Sequence, residues 1–127
     1  MVTTALVDEK IRGGQRLLEV LDKNKIQVDV ALWLLDPNSE SWRLVLASRQ
    51  LENLGPGQAY RAIQSILRSS DIPGVELREI SVRPPSSQLI KALRATISSG
   101  RDATRMHLSG NIINGVYIDD AYIYRVR

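Results

Sequence analysis

The sequence predicts a single α+β domain in which helices pack on a mixed, mainly antiparallel sheet of about five strands. Segments with apolar residues at helical spacing interleave with segments rich in branched and aromatic residues, in the order α-β-β-α-β-α-β-β. Strong turn signals separate them. The chain has 127 residues, 43% of them apolar and 24% charged, the composition of an ordinary globular domain with one core.

The first helix runs from about Thr4 to Lys23. Val7, Ile11, Leu18 and Leu21 recur on one face, Thr3 or Thr4 is placed to cap it, and Asp8 and Glu9 stand in the first turn. The opposite face carries Arg12, Arg16, Glu19 and Lys23 and reads as solvated. Gly13-Gly14 lies mid-helix, where glycine costs about 1 kcal/mol against alanine. Close packing against a sheet or a partner helix would compensate, so these two glycines are a candidate self-association contact.

A hairpin follows. Val28 to Leu35 and Trp42 to Ser48 flank Asp36-Pro37-Asn38-Ser39-Glu40-Ser41, a cluster of turn formers, and the first strand is apolar on both faces, as a covered central strand should be. After a loop, Gly55-Pro56 opens a second helix whose buried face is Ala59, Tyr60, Ile63, Ile66 and Leu67. Val75 to Val82 reads as a third strand with a bulge where its apolar parity shifts between Leu77 and Ile80. Pro84-Pro85 stops that strand. Ser86 or Ser87 then caps a third helix built on Leu89, Ile90, Leu93 and Ile97, with Gly100 just beyond it. Two last strands, Arg105 to Ser109 and Asp119 to Arg125, should pair antiparallel, with an accessory hairpin near 111–118 turning at Asn114-Gly115.

Several classes of function are set aside by composition. With no cysteine, a disulfide framework, a thiolate zinc site and a cysteine nucleophile are all excluded. The first residues lack the charged lead and apolar stretch of a secretory signal, and the longest apolar run, Val30 to Leu35, is far below the roughly 18 residues of a membrane span. A soluble, cytoplasmic protein with no membrane partner is expected. No phosphate-binding glycine pattern and no cofactor motif occurs, because Gly55-Pro56-Gly57 lacks the spacing and its proline removes an amide. No cofactor is expected.

The chemistry-bearing residues are few. His107 is the single histidine, and a catalytic reading would join it to Asp119 or Asp120, with Ser109 or Ser99 as nucleophile; no G-x-S-x-G elbow supports that arrangement. Asp119-Asp120 together with Asp36 or Glu40 would supply oxygens for a hard cation, but neighbouring strand residues point to opposite faces, so no metal site is assigned. Glu76 and Glu79 lack the spacing and the downstream lysine of a metal-dependent nuclease core. Charge is uneven in the second half. Arg61 and Arg68 on the second helix, and Lys91, Arg94 and Arg101 on and after the third, have no interleaved acids; if those helices adjoin on one sheet face, they form a basic surface suited to nucleic acid or another anion.

The stretch Val28-Asp-Val-Ala-Leu-Trp-Leu-Leu-Asp-Pro-Asn-Ser-Glu-Ser-Trp-Arg-Leu-Val-Leu-Ala-Ser48, preceded by a helix, resembles the opening helix and hairpin of GAF-type sensor domains. The resemblance ends at Ser48 and implies no ligand. The leading expectation is a non-catalytic interaction or regulatory module that binds itself, as a homodimer, or another protein, through a sheet edge or the Gly13-Gly14 helix. The second is a nucleic-acid-binding accessory protein using the basic helices. An enzyme built on His107 comes third.

Overall fold

The structure, a computed structural model, describes residues 6–97 and 106–127. Its sheet is organised around β1 (Val30–Asp36), whose apolar residues are buried on both faces. Alternation sends Ala31, Trp33 and Leu35 into one core cluster and Val30 and Leu32 into the other. β1 pairs antiparallel with β2 (Ser41–Ala47) on one side and with β5 (Val116–Val126) on the other. The strand order is β3-β2-β1-β5-β4, where β3 is Ile80–Arg83 and β4 is Met106–Ile113. Only β2 and β3 run parallel, so the single domain has the expected mixed, mainly antiparallel sheet of five strands with helices packed on it.

The helices divide between the two faces. α1 (Asp8–Lys23), α2 (Arg49–Leu54) and α3 (Pro56–Ser69) place Leu17, Leu21, Leu51, Ala59 and Ile63 in the cluster that contains Trp33. α4 (Gln88–Thr96) places Leu89, Ile90 and Leu93 in the opposite cluster, over Val45, Ile118 and Ile123. The result is three layers: three helices, the sheet, one helix.

α1 approaches the sheet closely because Gly13 and Gly14 have no side chains. A Cβ at Gly13 would stand 2.5 Å from the Pro73 carbonyl oxygen, and one at Gly14 would collide with the Tyr124 hydroxyl and the Trp33 indole nitrogen. Through that gap the Trp33 Nε1–H donates both to the Lys10 carbonyl and to the Tyr124 hydroxyl, each at 3.0 Å. The Tyr124 hydroxyl in turn donates to the Ile11 carbonyl at 2.5 Å. Burial of the phenol pushes its pKa upward. The polar ends of two core aromatics are thereby satisfied by helix backbone.

Three local expectations are revised. α1 begins at Asp8 with Val7 as its cap, while Thr3 and Thr4 lie outside the described residues. The loop after β2 contains α2, capped by the Ser48 hydroxyl, which accepts from Leu51 N at 3.1 Å; at six residues the helix is too short to display a period. The strand expected from Val75 starts only at Ile80, and its parity shift is a 3₁₀ turn, Leu77–Glu79, closed by a reciprocal capping box between Glu76 and Glu79, not a bulge.

Candidate functional site

The last two strands form one long hairpin, and its geometry sets up an extended, open sheet surface. Asn114 and Gly115 both have positive φ, 46° and 81°, the requirement of a two-residue I′ turn. β4 and β5 therefore run straight into that turn, and residues 111–118 are the outer end of the terminal strands. Midway, the alternation slips. Ile118 and Ala121 both enter the α4-side core, as do Leu108 in part and Ile113 on the facing strand, although each pair has opposite parity. Gly110, at φ +63°, takes up the slip on β4, and it and Asp119 are the one step without a paired partner in the ladder.

The slip turns two consecutive carboxylates to the side away from α4. Asp119 accepts a hydrogen bond from the Tyr117 hydroxyl at 3.3 Å, and Asp120 meets His107 Nε2 at 2.5 Å. His107 is cross-strand from Tyr122, which packs against the α1-side cluster, so Tyr117, Asp119, Asp120, His107 and Tyr122 share one face. The sequence-based expectation that Asp119 and Asp120 oppose each other is corrected by this bulge-like step. Even so, no group of three histidine or acidic side chains converges among the described residues. Asp36 is occupied elsewhere: its carboxylate accepts from Asn38 N at 2.9 Å, which holds its pKa below the ordinary value.

Among the described residues nothing covers the β4 end of this face. α1 lies over β1 and the end of β5 but stops short of β4, leaving Ile112 74% exposed and Tyr117 56% exposed as a directly paired apolar couple near the turn. Between α1 and β5 a cleft of about 330 Å³ is walled by Arg12, Gln15, Arg16 and Glu19 and floored by Tyr122 and Tyr124. The two tyrosine rings meet edge to face at 5.3 Å. Among the described residues neither Arg12 nor Arg16 is ion-paired, whereas Lys10, Arg78, Arg94 and Arg125 each are. Along β5 the face thus reads apolar, acidic, aromatic and, on the helix wall, basic.

The residues singled out from the sequence are distributed differently. Gly13 and Gly14 are buried by the contact of α1 with the 73–75 segment, Tyr124 and Trp33, and offer no surface for self-association. Arg61 and Arg68 are exposed on α3, whereas Lys91 and Arg94 are exposed on α4, which packs on the opposite sheet face; the single basic surface expected across these helices is not assembled. Arg94 is further engaged, its Nε donating to the Arg127 carbonyl at 2.6 Å and its guanidinium facing Asp29 at 3.6 Å. Arg101 lies outside the described residues, as do Ser99 and Gly100. The pair required by the catalytic reading, His107 with Asp120, is in contact on the surface; Ser109 stands cross-strand from Asp120, and among the described residues no hydroxyl is hydrogen-bonded to either. Glu79 pairs with Lys10, and Trp33 and Trp42 are core residues. Sequence reasoning does not combine Arg12, Arg16, Ile112, Tyr117 and Tyr122: the broken alternation separates Tyr117 from Tyr122 in parity, and only the packing of α1 on the sheet brings the arginines beside Tyr122.

No protein family, curated protein or solved structure matches this chain, and the likeness of Val28 to Ser48 to GAF-type domains extends to no family match. No helix among the described residues is long and apolar enough to cross a membrane.

Proposed function

We propose that the chain is a non-catalytic interaction module that self-associates through the open face of the β4–β5 hairpin. The observation that carries the reading is the exposed Ile112–Tyr117 couple, on the same sheet face as the half-buried Tyr122, a face that no helix among the described residues covers. An exposed apolar couple and an aromatic on one face, with Asp119, Asp120 and His107 between them, favour a protein contact, because covering them removes apolar area from water at little side-chain entropy cost. Tyrosine suits such a place, being apolar in body and polar at its tip.

Sedimentation equilibrium of the full chain, with and without the paired change Ile112→Ser and Tyr117→Ser, tests the reading. Concentration-dependent association of the wild type, weakened roughly tenfold or more in the variant, is expected for residues at the heart of a contact. A wild type that stays monomeric at the highest attainable concentration, or a variant that associates equally well, would overturn it.

A further inference from the structure

Resting on that reading, we infer that the occupant of the open face is a second copy of this chain, related by a twofold axis near Tyr122, with Arg12 and Arg16 of each copy set against Asp119 and Asp120 of the other. Charge complementarity within one face supports the pairing. The helix wall carries two guanidiniums, four residues apart on the same side of α1 and without a carboxylate partner among the described residues. The hairpin carries two adjacent carboxylates, both turned to the same side by the slip at Gly110; one is held by a tyrosine hydroxyl and the other by His107.

Tyr122 lies between the two charge pairs. It lines the cleft beside Arg12 and Arg16, and its cross-strand neighbour His107 touches Asp120. An isologous contact requires a surface complementary to itself after a half-turn. A half-turn about an axis near Tyr122 exchanges the basic wall with the acidic step and places aromatic against aromatic at the centre. Central aromatics ringed by polar pairs are the usual layout of a specific interface. Glu19, on the same wall, is hydrogen-bonded by Gln15 at 3.4 Å and is the one acid there with the wrong sign for this pairing.

A charge-exchange experiment tests the inference. One variant carries Arg12→Glu and Arg16→Glu, the other Asp119→Lys and Asp120→Lys. Each alone sets like charges against each other across the axis and should weaken self-association roughly tenfold or more. Mixed in equal amounts they should form a heterodimer close to wild-type strength, because one of its two charge contacts is again opposite in sign with the roles exchanged and the other keeps the original arginines and aspartates. Circular dichroism checks that both fold; should either fail, its neutral counterpart, Arg12→Gln with Arg16→Gln or Asp119→Asn with Asp120→Asn, replaces it and should weaken self-association on its own. Wild-type association should also weaken as salt rises, and either neutral variant should lose most of that dependence. If the wild type associates but the separate variants do so undiminished, or their mixture fails to recover, the pairing is wrong while the hairpin face stands. If no form of the chain associates, the underlying reading itself has failed.

Discussion

Tyr117 and Tyr124 belong to the same strand and face the same side of the sheet, yet one is 56% exposed and the other 5%. The difference lies in what α1 can reach. At Tyr124 the glycine pair lets the helix descend until its own carbonyls accept the phenol and indole protons, and the aromatic becomes core. At Tyr117 no helix among the described residues reaches the strand, and the ring's hydroxyl turns back on its neighbour Asp119. The same residue type therefore serves stability at one end of β5 and surface chemistry at the other, decided by backbone approach and not by strand propensity.

Perturbing the closed end should be costly. Gly14→Val drives a branched side chain into the Tyr124 hydroxyl and the Trp33 indole and is expected to remove about 3 kcal/mol of stability, read from urea denaturation. A loss below about 1 kcal/mol would mean that α1 is not pinned there. Tyr124→Phe keeps the ring but leaves the Trp33 and Ile11 contacts short of a partner, at about 1–3 kcal/mol. It also carries a pH signature. Because burial raises the folded pKa of Tyr124 above its ordinary value of 10.0, its stabilisation is complete below that pH and is lost as pH rises beyond it, where the unfolded phenol ionises first. Wild-type stability should fall between neutral pH and pH values above that point more steeply than that of Tyr124→Phe.

Perturbing the open end should scarcely touch folding. His107→Gln is expected to cost less than about 1 kcal/mol, since its contact with Asp120 is a surface one with 61% of the imidazole exposed. The paired change Ile112→Ser and Tyr117→Ser should alter monomer stability by no more than about 0.5 kcal/mol. A larger loss, seen in the same denaturation assay at low protein concentration, would show that these side chains are structural.

Much of the closed end was legible from the sequence. Gly14 on the apolar face of α1 already demanded a close neighbour, and β1, apolar on both faces, demanded cover from both sides. What sequence could not say was who supplied it: the neighbour is Tyr124, 110 positions away, and burial by it removes Gly13-Gly14 from any intermolecular role. The basic helix faces looked like one surface because α3 and α4 follow one another in the chain, yet β3 between them lets the chain cross to the other side of the sheet. The open face was hidden by a single residue. Strict alternation along β5 assigns Asp119 and Asp120 to opposite sides, whereas the unpaired step at Gly110 and Asp119 coincides with their turning to one side.

Hydroxyl-radical footprinting of the full chain at low and high protein concentration tests most directly whether the open end of the hairpin is the contact. Ile112, Tyr117 and Tyr122 are predicted to lose reactivity as concentration rises, while Leu54, exposed on α2, does not. Protection that falls on Leu54 instead, or reactivity at the hairpin that never changes with concentration, would contradict that assignment.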